Sequence, residues 1–328
     1  MPDLIGLVEW NYLFGCVLLS IAMASFSPRL VHICCIFANT GNNMSPNHFR
    51  NFLCAIVIAL SVAGCASIPD STTRKNAVAN IAAAHGLTPA YTGVGAARVF
   101  TSAKVTDPTQ TTRVYIEGDG FAYIGGGQPS NDPTPTKPVL MSLIGMDASP
   151  NIVYIARPCQ YGHEGCTVSD WTTNRFAADK VAAINAAIDD VKARYHLGPL
   201  ELVGYSGGAH FAALLAATRC DVVGLRSIAG NLDVPAFTAY RHQTPLNVTD
   251  TGLNHADALR AIPQLHIAST RDTVIPPVLV EGYIARLASP FARTMIVDAP
   301  THGRGWEGVW PAFLAQPLPE ATPRATCL

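Results

Sequence analysis

Charge is scarce in this sequence and nearly cancels: 22 Lys and Arg stand against 23 Asp and Glu, 14% of 328 residues, for a formal net charge of -1. A balance of this kind gives no electrostatic footing for a nucleic acid or for a polybasic contact with anionic lipid. Internal repeats and long low-complexity tracts are missing too, which excludes solenoids and fibrous chains. What remains is a globular chain whose 49% apolar content can bury one large α/β domain, with terminal extensions. A metal centre finds little support. Cys159, His163 and Cys166 are spaced like ligands, but no fourth ligand with matching spacing accompanies them. No cofactor is called for.

Hydrophobicity is concentrated at the start. From Met44 the text supplies a positive n-region at Arg50 and an apolar h-region from Phe52 to Leu60, the pattern of an export signal and too short to span a bilayer comfortably. Val62, Ala63, Gly64 and Cys65 resemble a bacterial lipobox, in which the cysteine thiol receives diacylglycerol. Ala66 and Ser67 follow in place of an acidic pair, which points to outer-membrane sorting and a protein facing the periplasm. Residues 1–43 hold two further apolar runs, Leu13 to Ala24 and Leu30 to Phe37, interrupted by Pro28 and Arg29. Because such a signal begins at the initiator methionine, 1–43 reads as a non-native upstream extension, the alternative being a membrane hairpin. The expected order is a signal over 44–64, a tether over 65–73, a single α/β domain over 74–318 and a tail over 319–328.

Nine cysteines fit export. Setting aside Cys16, Cys34, Cys35 and Cys54, and a lipidated Cys65, four remain: Cys159, Cys166, Cys220 and Cys327. An oxidising compartment would let them pair, and Cys159 with Cys166 is the expected bridge, leaving the pairing of Cys220 and Cys327 open.

Along the domain, β-branched and aromatic runs at 112–117, 151–156, 200–204, 222–228, 264–269 and 293–297 alternate with helical stretches at 177–195 and 209–218. An Ala-rich helix is expected over 74–84, and the glycines and prolines from 125 to 138 read as loop. Such alternation predicts an α/β fold, a mostly parallel central sheet with helices on both faces, and catalytic groups at the carboxyl ends of its strands.

One strand end stands out. Leu200 to Gly204 runs into Gly204-Tyr205-Ser206-Gly207-Gly208 and a helix follows at once, the strand, sharp turn and helix context of a G-x-S-x-G nucleophile elbow. A serine hydroxyl needs a base to take its proton, and the base needs an acid to fix its tautomer. His302, past the last strand and the only histidine after residue 266, is the candidate base. Asp272, following the strand 264–269, is the first choice of acid, and Asp233, following the preceding strand, is the alternative. Asp298 lies four residues before His302 and closes its own strand. The oxyanion donors expected are the N–H of Gly207 and that of Gly120 or Phe121, in the loop after residue 117.

The elbow, the order Ser206, Asp272, His302, and the segments YIEGDG (115–120), RPCQY (157–161) and GNLD (230–233) resemble bacterial α/β-hydrolase lipoproteins over roughly residues 74–315. The resemblance implies an α/β-hydrolase fold and hydrolysis of a small-molecule or lipid ester, and leaves the natural bond open. An envelope peptidase or amidase on the same triad and an inactive binding lipoprotein are the competing readings. Residues 231–254, polar and proline-containing, are the expected cap. Translation from Met44 is expected to give a mature protein beginning at a diacylated Cys65. Mass spectrometry of the N-terminal peptide checks this, and an unmodified peptide running through Gly64 and Cys65 would contradict it.

Overall fold

The computed structural model describes residues 68–321, apart from 126 and 163. The expected upstream extension, signal, lipidation site at Cys65 and the first three residues of the tether therefore lie outside the described residues, as do Cys327 and most of the tail. The first described element is α1 (Ser71–Ala84), whose first turn is capped by the Asp70 side chain accepting from Thr73 N–H. Arg74, Val78 and Ala82, four apart, form its buried stripe. The tether expected to reach residue 73 is thus helical from Ser71.

Eight strands form one sheet. They are β1 (Thr88–Thr92), β2 (Val99–Val105), β3 (Thr112–Ile116), β6 (Asn151–Ile155), β7 (Leu200–Tyr205), β8 (Val222–Ile228), β9 (Gln264–Ser269) and β10 (Ala292–Val297), in spatial order β1-β2-β6-β3-β7-β8-β9-β10. Every pairing from β6 to β10 is parallel; β1 with β2 and β2 with β6 are antiparallel. The edge strand β1 and its neighbour β2 went unread in the sequence, where Gly93 and Gly95 break the apolar pattern between them. A short hairpin, β4 (Tyr123–Gly125) with β5 (Gln128–Pro129), lies in the stretch expected to be loop. The strands at the centre are buried on both faces, and this is why they read as continuous apolar runs. After the short helices α2 (Val139–Ile144) and α3 (Val168–Trp171) come α4 (Ala178–Tyr195) and α5 (Gly208–Thr218); Val114 and Ile116 of β3 join the core beneath these two, while Tyr115 points into a second core with Leu140, Trp306 and Trp310. Each such aliphatic side chain removed from water contributes about 1.5 to 3 kcal/mol, so a two-faced core of this extent holds the sheet rigid beneath its loops.

The order of strands decides where chemistry can sit. From β3 the chain goes first to β6 on one side, then to β7 on the other, and this reversal opens a crevice at the carboxyl ends. The segments leaving β6, β3 and β7 at that edge are 156–161, 117–121 and 206–208, so they are neighbours despite wide sequence separation. Cys159 and Cys166 are joined by a disulfide that closes the first of them, which takes both thiols out of the zinc set. Residues 231–254 contain helix α6 (Val234–Tyr240) and a stretch without regular structure, whose Leu246 and Val248 pack on the core and whose Asn247 N–H donates to Thr173 O at 2.9 Å.

Candidate active site

Ser206 occupies the turn between β7 and α5 with φ +50°, a left-handed conformation that costs an L-residue about 1 to 2 kcal/mol. The flanking glycines are demanded by space: a Cβ on Gly204 would lie 2.3 Å from Ala209 Cα, and one on Gly208 2.1 Å from Ile116 O. Three backbone bonds pin the serine. Its N–H donates to Ile228 O at 3.0 Å, and its carbonyl accepts from Ala209 and Asn231 N–H at 3.1 and 2.9 Å.

His302 lies 3.0 Å from Ser206 Oγ through Nε2, and its Nδ1 is 2.8 Å from Asp272 Oδ2. The Asp272 side chain is fully buried, and its other oxygen accepts from Val274 and Ile275 N–H at 2.8 and 3.0 Å. Those two amides lie two and three residues past Asp272 in the loop after β9, so the turn that supplies the carboxylate also fixes its direction. The imidazole is held from behind as well. Tyr205 stacks on it, centroids 5.7 Å apart, and donates to the His302 carbonyl at 2.7 Å, which Trp306 Nε1 also reaches at 3.0 Å.

The other candidate acid serves elsewhere. Asp233 caps α6, accepting from Ala236 N–H at 3.0 Å, and pairs with Arg286 at 2.8 Å. Asp298 accepts from Thr270 Oγ1. Of the two loop donors expected for an oxyanion, Phe121 is a correction: its N–H is already given to Pro133 O at 2.9 Å, because the loop folds back on 130–134. Gly120, with φ +65°, is the one of the pair that keeps the role open. Among the described residues no group of His, Cys, Asp or Glu is arranged to hold a metal ion.

Sequence reasoning missed four features around this centre. Tyr205 and Trp306, which hold His302, carried no motif. Asp119, in the loop after β3, is paired with Arg157 and Arg175. Glu117, at the tip of β3, is buried and accepts from Gly118 N–H at 2.8 Å and from Tyr154 Oη at 2.9 Å. Burial outweighs those two bonds and the nearby Arg157, and pushes the Glu117 carboxyl up to about 7. One turn into α5, His210 is wholly buried against Phe176 and Phe211, and burial pushes it down to about 3, so it stays neutral.

Neither known protein families nor curated proteins match the chain. Solved structures do. Pyrococcus horikoshii acylaminoacyl peptidase superposes with a TM-score of 0.52 at 13% identity, over 69% of this chain and 40% of that one. A Mycobacterium tuberculosis puromycin-hydrolyzing peptidase gives 0.52 at 16% identity, over 71% and 39%. The fold is that of the α/β-hydrolases. An esterase of Pyrococcus furiosus gives 0.50 at 13% identity over 72% of this chain and 93% of that one. At such identities the likeness is one of fold, and the chain spans about two fifths of the length of either peptidase. In this α/β-hydrolase fold, Ser206, His302 and Asp272 stand on the loops after β7, β10 and β9.

The raised carboxyl of Glu117 has a consequence for stability. A folded-state value of about 7 against an ordinary 4.5 means the folded protein binds the proton more tightly than the unfolded chain. This contribution is complete below about pH 4.5 and is lost as pH rises through about 7, a swing on the order of 3 kcal/mol. Thermal unfolding should therefore show Glu117→Gln gaining on the wild type between pH 5 and pH 8. Parallel Tm profiles for the two proteins would contradict the assignment.

Proposed function

We propose that the protein is a serine hydrolase that cleaves carboxylic esters through an acyl-enzyme on Ser206. The observation that carries this reading is the continuous line of hydrogen bonds from Ser206 Oγ through both nitrogens of His302 to a buried Asp272. Ser206 Oγ adds to the ester carbonyl carbon as its proton passes to His302 Nε2, and the carbonyl π pair moves onto oxygen. The Gly207 N–H, with Gly120 in the facing loop, receives that oxyanion. Collapse of the adduct expels the alkoxide, which takes the proton from His302 and leaves as alcohol. Water then adds to the acyl carbon, His302 acting again as base, and releases the acid and free Ser206. Throughout, Asp272 keeps His302 in the tautomer that presents an acceptor at Nε2, and favours the imidazolium.

The two peptidases among the similar structures support an amide as the second substrate class. Export, with a lipid anchor at Cys65 in the bacterial envelope, is part of the same proposal. It is supported by the signal pattern over 44–64 and by the Cys159–Cys166 bridge, since disulfides persist in oxidising compartments. No helix among the described residues is long and apolar enough to cross a membrane.

A fluorophosphonate should label the wild type at Ser206 and p-nitrophenyl acetate should be turned over. Labelling should vanish in Ser206→Ala and fall by at least about 10²-fold in His302→Ala. Running an acyl p-nitroanilide beside the ester separates esterase from peptidase. Folded wild type that neither takes up the probe nor exceeds the Ser206→Ala background would leave a binding protein as the correct reading.

A further inference from the structure

Two guanidinium groups are buried beside the residue that follows Ser206. The Arg157 and Arg175 side chains are 5% and 9% exposed, and both turn toward one carboxylate, Arg157 Nη1 lying 2.9 Å from Asp119 Oδ1 and Arg175 Nε 2.8 Å from Oδ2. Two further donors go to backbone, Arg175 Nη1 to Thr172 O at 2.7 Å and Arg157 Nη2 to Arg175 O, while the buried Arg157 Nε has no hydrogen-bond partner among the described residues. The faces of both cations lie over Phe176, at 5.0 and 5.3 Å from its centroid. Buried charges are ordinarily matched one to one, because an uncompensated cation in low dielectric is expensive. Here two cations share one hydrogen-bonded anion, so the three groups together carry a formal charge of +1, which the buried Glu117 near Arg157 offsets only when it ionises.

The shared carboxylate is also packed against the elbow. A Cβ on Gly207 would lie 2.0 Å from Asp119 Oδ1 and 3.1 Å from Phe176 Cζ. Asp119 thus fills the space that a side chain after the serine would occupy, and Gly207 is glycine because a carboxylate from the neighbouring loop is there. The strand order makes this contact: Asp119 leaves β3, Arg157 leaves β6 on one side, and Gly207 follows β7 on the other. Gln160 Nε2 adds a bond to Gly118 O at 3.0 Å, tying the same loop to the β6 side.

We propose that Asp119, clamped by Arg157 and Arg175, is a positioning residue for the oxyanion hole. It sets the distance between the 118–121 loop and the Gly207 N–H, and the surplus positive charge behind it favours the negative charge developing on the carbonyl oxygen. The proposal rests on the serine-hydrolase reading and deepens it.

Steady-state hydrolysis of p-nitrophenyl acetate tests it in Asp119→Ala, Arg175→Gln, Arg175→Lys, Gly207→Ala and the double variant Asp119→Ala/Gly207→Ala, with folding followed by circular dichroism. Asp119→Ala should lower kcat by about 10²-fold, the scale of losing an oxyanion donor, with KM changed by less than about 3-fold. Arg175→Lys, which keeps the charge, should lose less than Arg175→Gln. Gly207→Ala should also be slow, because its Cβ displaces the carboxylate, and the double variant should be no slower than Asp119→Ala alone. Losses that multiply in the double variant, or Asp119→Ala within about 2-fold of wild type, would overturn the clamp. Should Asp119→Ala not fold, equal kcat for the two Arg175 variants and wild type would overturn it. Ser206→Ala, run alongside, separates the two levels: wild type no faster than Ser206→Ala removes the hydrolase reading and the clamp together, whereas an active wild type with indifferent clamp variants removes the clamp alone.

Discussion

Everything at this site depends on the left-handed backbone of Ser206, because that one conformation lifts Oγ out of the β7–α5 turn toward the crevice. The strain of about 1 to 2 kcal/mol is offset by three backbone hydrogen bonds, each worth about 0.5 to 1.5 kcal/mol net. Two of them come from beyond the turn, from Ile228 at the end of β8 and from Asn231 just after it, so the nucleophile's geometry is secured by the neighbouring strand as well as by its own. Gly204 and Gly208 follow from the same constraint, since the turn brings α5 and β3 too close for side chains there.

The base and acid obey a second rule of the fold, that loops at one sheet edge face one crevice. Asp272 is locked by the two amides that follow it, and His302 is locked through its carbonyl by Tyr205 and Trp306. Tyr205 belongs to the elbow itself, so one residue joins the nucleophile's strand to the base's loop. Small displacements of the β10 loop are resisted at three points on His302, its carbonyl and both ring nitrogens, which is the preorganisation that proton transfer over about 3 Å requires.

Much of this was legible in the sequence because local sterics and chain order are written locally. The glycines of the elbow, the Ser, Asp, His sequence and the alternating strands each show in short windows of text. What was not legible depends on residues far apart along the chain. Nothing near Phe121 tells that its N–H is given to Pro133, nor does anything near Arg175 tell that it meets Asp119, 56 positions away. The antiparallel pair β1 and β2 went unread because glycines interrupt their hairpin, and the start of α1 was misjudged because the cap at Asp70 lies in polar text that also suits a tether. Glu117 sits in the segment that carried the family resemblance, but its burial is a property of the two-faced core and no window of sequence states it.

The central claim is that Ser206 is activated through His302 by Asp272 and by no other carboxylate. Comparing kcat for Asp272→Asn and Asp233→Asn tests it most directly, since either change removes a charge with almost no change in shape. Asp272→Asn should lower kcat by about 10³- to 10⁴-fold, because His302 loses the partner that sets its tautomer, while Asp233→Asn, which alters only a helix cap and an ion pair with Arg286, should stay within about 3-fold of wild type. A folded Asp272→Asn protein with wild-type turnover, or a larger loss in Asp233→Asn than in Asp272→Asn, would contradict the account.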